Sequence, residues 1–333
     1  MNDNRNDELS RRKDDELAPL PANETPVSRD NRQIWLLAIG ILGVLAILAG
    51  NYPRTVESNG FDAAGIDALA IQAGSANVVF VETAATEVQA ELTGSRSNDV
   101  TLNVTRTGNT LDVQVDRRFM FFRLFSFGQP SLTISLPADF GGDVSLQLSS
   151  GSIRLEGVRN ELANVNLSTS SGRITVRDVN LAGNVTLRSS SGQIHFEDAS
   201  TPGEVDVSAS SGRVTLSDVQ AGSYRLQTSS GRLAARGLSG AELTATVSSG
   251  SMDIQAETIL EDWQLRGSSG RVTVELERPP SDMSLTFAGG SGGWSIADRY
   301  GFDTEGTRRN ALTIRGSGPE LNVRTGSAGF RLL

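Results

Sequence analysis

Residues Val165–Val179 read VNLSTSSGRITVRDV; twenty positions on, Val185–Ala199 read VTLRSSSGQIHFEDA, and Val205–Val219 read VDVSASSGRVTLSDV. The shared Ser-Ser-Gly recurs seven times in the chain, with its glycine at Gly151, Gly172, Gly192, Gly212, Gly231, Gly250 and Gly270. Successive glycines are 19 to 21 residues apart. A period of that length marks one structural unit stacked on copies of itself.

Aligned on their glycines, the units share an apolar pattern. Seven positions before glycine stand Val144, Val165, Val185, Val205, Tyr224, Leu243 and Trp263. Five before it stand Leu146, Leu167, Leu187, Val207, Leu226, Ala245 and Leu265. Two after it come Ile153, Ile174, Ile194, Val214, Leu233, Met252 and Val272, and four after it Leu155, Val176, Phe196, Leu216, Ala235, Ile254 and Val274. Polar residues alternate with these, which is the period of a half-buried strand. Each unit therefore reads as two short strands joined at Ser-Ser-Gly. A second corner is expected near a plug seven residues after glycine (Val158, Val179, Ala199, Val219, Leu238), a position taken by Glu257 and Glu277 in the last two units. Glycine at the first corner suggests a left-handed backbone, and the serines suit bonds to the bend.

One unit cannot bury its apolar row alone; stacked units can. The fold class is all-β: a single-stranded parallel β-helix, or β-solenoid, right-handed by default, with one N-terminal transmembrane helix. Seven coils at ~4.8 Å give a rod segment roughly 30–35 Å long. The leucine-rich repeat has a similar period, but its Leu-x-x-Leu-x-Leu signature is absent, as is the calcium-binding Gly-Gly-x-Gly-x-Asp repeat.

The chain of 333 residues has no cysteine, one histidine and a net charge of −9. Its own residues offer no disulfide, thiol or zinc chemistry. The acidic balance argues against nucleic acid as a partner. No cofactor is expected.

Residues Ile34–Gly50, IWLLAIGILGVLAILAG, carry no charge over seventeen residues, the short end of a membrane span. Six Lys or Arg precede it and only Arg54 follows before Arg96, which places the N-terminus in the cytoplasm. A signal anchor is preferred to a cleaved signal peptide, because the 33-residue lead is long and no small-x-small site ends the segment. The expected organisation is a disordered cytoplasmic tail (1–33), the anchor (34–50), a linker (51–62), an irregular strand-rich N-terminal part and cap (63–142), the regular coils (143–282) and irregular terminal coils (283–333). Within the irregular parts, Gly108-Asn109 reads as a hairpin turn, and Ala73-Gly74-Ser75 as a degenerate repeat corner.

Three features are candidates for function. Arg173, Arg213, Arg232 and Arg271 recur one residue after the glycine. Asp178, Asp198 and Asp218 recur six after it; a cation site or sugar chemistry is conceivable there, but corner geometry explains aspartates that follow the repeat. Lone His195 reads as a surface residue. The sharpest anomaly is RRFMFFRLFSF, Arg117–Phe127, where Phe119, Phe121, Phe122, Phe125 and Phe127 crowd beside Arg117, Arg118 and Arg123. These residues are the candidate contact to a membrane or partner; the competing role is to plug the open end of the stack. No nucleophile elbow, phosphate-binding loop or metal signature appears.

An N-terminal anchor, an irregular lead with an aromatic run and Ser135-Leu136-Pro137, Ser-Ser-Gly-x-Ile/Val coils and a closing Thr325-Gly326-Ser327 together resemble an uncharacterised bacterial family of candidate adhesins with β-strand repeats, also described as toastrack domains. The resemblance covers about Phe61 to Leu333. It implies a non-enzymatic, single-pass protein of the bacterial cytoplasmic membrane whose extracytoplasmic solenoid serves adhesion or envelope sensing. Its partner would be an envelope polymer, a lipid surface or a protein, and no catalytic or metal residue is implied. A polysaccharide-active β-helix enzyme and an end-to-end polymerising scaffold are the alternatives.

Overall fold

The chain divides into two units, Met1–Tyr52 and Pro53–Leu333. The computed structural model describes residues 54–94, 100–117, 129–304 and 307–333. The expected anchor Ile34–Gly50 and the tail before it lie outside the described residues. Among the described residues no helix is long and apolar enough to cross a membrane.

In chain order the strands are β1 (Arg54–Asp62), β2 (Ala68–Gln72), β3 (Asn77–Thr83), β4 (Glu87–Gly94), β5 (Val100–Thr107), β6 (Thr110–Arg117), β7 (Ser131–Pro137), β8 (Asp143–Glu156), β9 (Val165–Asn180), β10 (Val185–Ser200), β11 (Glu204–Arg236), β12 (Ser239–Ala256), β13 (Trp263–Leu276), β14 (Ser284–Gly289), β15 (Trp294–Ile296), β16 (Ala311–Ile314), β17 (Glu320–Thr325) and β18 (Gly329–Leu332). They join in one 18-stranded sheet. From β8 to β13 all pairing is parallel and in register, glycine on glycine: Gly151↔Gly172, Gly172↔Gly192, Gly192↔Gly212, Gly231↔Gly250 and Gly250↔Gly270. Each coil runs as continuous strand through its Ser-Ser-Gly bend, not as two strands separated by a loop, and β11 carries two coils, with Gly212 and Gly231.

The inward columns are as the alternation predicts. Val185, Leu187, Ile194, Val205, Val207, Val214, Leu233 and Val274 are all fully buried. Tyr224 stands in the first column among aliphatic residues, and its hydroxyl reaches the backbone carbonyls of Val219 and Ser239, each at 2.5 Å. Burial pushes its phenol up to about 12. Where the plug position becomes Glu257, Ile259 is buried instead.

The irregular ends are further coils of the same stack. β2 and β3 lie on β8 (Leu69↔Val144, Val78↔Ile153), so Ala73-Gly74-Ser75 is indeed a repeat corner, with Ala76 in the glycine position. On the far side of β2 and β3 lie β6 and β7 (Leu69↔Leu111, Val78↔Leu132). At the other end β17 and β18 lie on β13, and β14 and β15 lie on β17 and β18. Chain order and stack order therefore disagree at both ends. The coil made first, β2–β3, and the coil made last, β17–β18, each sit one layer inside the stack.

Antiparallel strands finish each end: β5 on β6, β4 on β7 and β1 on β4 at one, β16 on β14 at the other. Buried Val88, Ala90, Leu92 and Leu102 from β4 and β5 belong to the core. Two expectations change here. Within the expected linker 51–62, Arg54–Asp62 is a strand that pairs along β4 from Arg54↔Gly94 to Asp62↔Glu87; its polar sequence reflects an edge strand with little apolar burial. The expected boundaries near 142 and 282 mark changes of regularity within one continuous stack. The Gly108-Asn109 hairpin joins β5 and β6 through Thr107↔Thr110 as expected.

Candidate binding edge

The Ser-Ser-Gly bends form a straight edge along the stack, and its glycines are required for a reason other than the one expected. Gly172, Gly192, Gly212 and Gly231 are not in the left-handed region; only Gly151, Gly250 and Gly270 have positive φ, at 121°, 156° and 123°. The constraint is a close approach between coils. A Cβ on Gly172 would stand 1.8 Å from the carbonyl oxygen of Gly151, one on Gly192 2.0 Å from that of Gly172, and one on Gly270 1.8 Å from that of Gly250.

The left-handed corner is six residues later. There Asp178, Asp198 and Asp218 have φ of 52°, 49° and 54°, and the same position in flanking coils is Gly157 and Gly237, at 65° and 59°. Aspartate tolerates this conformation better than most residues. The corner explanation for the three aspartates thus has a direct geometric basis, and among the described residues no group of three His, Cys, Asp or Glu could hold a metal ion. Asp198→Gly is expected to leave the urea midpoint unchanged or raise it slightly, whereas Asp198→Val is expected to cost about 1–2 kcal/mol in the same titration.

Along the edge, the first serine of each repeated pair from Ser149 to Ser268 is exposed. Beside the serines runs a shallow trough of about 400 Å³ across the first five coils, lined by Gln147, Ser168, Arg188, Ser208 and Gln227 with the serines Ser170 and Ser190 among others. A second hollow of about 330 Å³, lined by Gln72, Gln114, Asp116 and Gln147, carries it onto the first coils of the stack. Beneath the bend, the column three before glycine is buried although it holds Thr169, Ser189 and Thr228. Those three hydroxyls have no hydrogen-bond partner among the described residues.

Arg173, Arg213, Arg232 and Arg271 are exposed on the other flank and make no hydrogen bond or ion pair among the described residues. Other outward arginines of the coils are paired across neighbours: Arg177 with Glu197, Arg188 with Asp206, Arg225 with Glu204 and Arg278 with Glu257. His195 lies between Thr175 and Thr215 in the stack, two residues along from Gln193, which lies between Arg173 and Arg213. Partial burial, then the charge of those two arginines, lowers its pKa. Its Nε2 lies 3.4 Å from Gln193 Oε1. Nothing around it resembles an acid–base pair.

Sequence reading missed Arg266 and Arg324, paired in register four positions before the bend and exposed. Comparing that column down the coils was the signal available for Arg266; Arg324 belongs to a coil without the motif. Of the phenylalanine-rich candidates, Arg117 ends β6, while Arg118, Phe119, Phe121, Phe122, Arg123, Phe125 and Phe127 lie outside the described residues. Val113 pairs with Ile71, and Leu132 with Val78, so the two flank the bend of their coil. Nineteen residues separate them where a regular coil such as Val207–Val214 has seven. Between these two strands the chain is twelve residues longer than in a regular coil.

The toastrack DUF4097 family profile matches residues 66–327. No curated protein matches the chain. Among solved structures, one from Clostridium sporogenes described as a "putative cell adhesion protein" is 10% identical, with a TM-score of 0.26, over 84% of this chain and 99% of its own. One from Bacteroides fragilis described as a "putative adhesin" is 10% identical, with a TM-score of 0.40, over 83% of this chain and 96% of its own.

Proposed function

We propose, from the premise that the chain belongs to the toastrack DUF4097 family, that it is a non-enzymatic binding protein of the bacterial envelope. Residues Ile34–Gly50 hold it in the cytoplasmic membrane, residues 1–33 stay in the cytoplasm, and the coils stand outside and bind through their surface. The observation carrying this reading is the uniformity of the outward face. The trough crosses five coils with a hydrogen-bonding residue, Gln, Ser or Arg, at the same position in each and no carboxylate in its lining, and the recurring carboxylates, the corner aspartates, have a backbone role. A catalytic centre needs a local break in such a pattern, with groups of displaced pKa facing one another. The antiparallel strands on both ends disfavour polymerisation end to end.

The absence of cysteine makes the topology directly testable. In intact cells, Ser210→Cys in the full chain is expected to react with a membrane-impermeant maleimide. Ser10→Cys is expected to react only after permeabilisation. The opposite pattern, or protection of both sites in intact cells, would refute the anchored extracytoplasmic arrangement.

A further inference from the structure

We infer that the Ser-Ser-Gly edge is a rail for an extended, carboxylate-bearing polysaccharide laid along the stack; this deepens the binding role proposed above and rests on it. The ground is a charge pattern visible only once the coils are placed in register. Ten coils each contribute six residues from four before the bend to one after it: 72–77, 147–152, 168–173, 188–193, 208–213, 227–232, 246–251, 266–271, 324–329 and 288–293. None of these residues is Asp or Glu, and seven are Arg. With 39 acids among its 333 residues, the chain's average would place about seven acids there. A protein of net charge −9 thus keeps this band free of acid over ten coils, and only the eleventh, β6–β7 at the end of the stack, brings an acid, Asp116, to it.

Six of the seven arginines are also unpaired among the described residues: Arg173, Arg213, Arg232 and Arg271 on one side of the bends, Arg266 and Arg324 on the other. Between them stand the exposed serine pairs and the trough. Guanidinium groups match carboxylates in bidentate geometry, and serine hydroxyls donate to and accept from sugar hydroxyls. The band is one bend wide and about 43 Å long at the usual strand spacing, the proportions of a single polymer chain and not of a flat lipid surface. Arg173 and Arg213, two coils apart, stand about 10 Å from each other along the axis, and an extended pyranose advances by about one coil spacing. The sparse cations suit a polymer with one charge per one or two sugars better than a densely charged phosphodiester. The overall negative charge does not prevent this, since salt screens it beyond ~8–10 Å while contacts within the band remain.

The test uses the full chain in detergent micelles and polygalacturonate as the probe, with its carboxyl-reduced neutral form and inorganic polyphosphate as further arms, read by biolayer interferometry. Polygalacturonate is expected to bind with an affinity that falls as salt rises. Arg213→Gln with Arg232→Gln is expected to weaken it about tenfold or more. Arg177→Gln with Arg236→Gln, off the band, should leave binding within about twofold, and circular dichroism of both variants should match the parent. No binding of polygalacturonate, equal binding of the neutral polymer, preference for polyphosphate, or indifference to the Arg213 and Arg232 changes would each overturn the rail. Those outcomes leave the topology result above untouched, so failure here is distinguishable from failure of the envelope assignment.

Discussion

Gly212→Ala is expected to destabilise the protein by about 3 kcal/mol or more, although it adds one methyl group at a half-buried position. The new Cβ would stand 1.9 Å from the carbonyl oxygen of Gly192 and 3.0 Å from its carbonyl carbon. Both are backbone atoms of an adjacent coil, so no side chain can swing aside. Relief requires prising two coils apart at the bend, and the ladder bonds on either side, Ser211↔Ser191 and Arg213↔Gln193, resist that. Because Gly212 is not in the left-handed region, the penalty is one of contact and not of backbone preference. Urea unfolding followed by circular dichroism measures it. Ser210→Ala, an exposed position in the same bend, is the control and should lie within about 0.5 kcal/mol of the parent. A Gly212→Ala protein as stable as that control would mean the bends do not lie on one another.

Phe196→Ala is expected to cost about 3–5 kcal/mol, near the top of the range for core truncation. Phe196 is 1% exposed and stands in register between Val176 and Leu216, so one ring fills what neighbouring coils fill with aliphatic side chains. The cost of such a deletion depends on whether the surroundings collapse into the void. Here the strands above and below are held at fixed spacing by parallel ladders, and the cavity should persist. Phe196→Leu should cost about 1–1.5 kcal/mol. Equilibrium unfolding with an unchanged denaturant slope would show that only native packing had been altered.

The regular coils were legible because their information is redundant. Seven copies of a twenty-residue pattern fix the strand period, the bend and the inward columns, and Val185, Leu187 and Ile194 are buried as the alternation requires. The column three before glycine was not legible. Leu148, Thr169, Ser189, Ala209, Thr228 and Val247 share no chemistry that marks an inward position, and only the bend turns them into the core. The Gly108-Asn109 hairpin was legible too, but not that β6 and β7 make one coil, since eighteen residues, the phenylalanine run among them, lie between Val113 and Leu132. The aspartate corner was readable because the three aspartates follow the repeat, while its left-handed backbone, shared with Gly157 and Gly237 in the flanking coils, was not. The edge arginines were visible singly. That their flanking columns lack acid emerges only when distant stretches such as 72–77 and 324–329 are set beside the repeats.

The displaced coils at the two ends set the order in which the protein can be completed. On the ribosome β2 and β3 emerge before either of their neighbours, and must wait for β6–β7 on one side and β8 on the other. At the opposite end β13, β14 and β15 are synthesised while the slot between them stands vacant, and β17 and β18 enter it last. The growing rod therefore cannot zip shut from one end as simpler repeat proteins do. Its final act is an insertion, after which β17 and β18 are held between β13 on one side and β14 and β15 on the other.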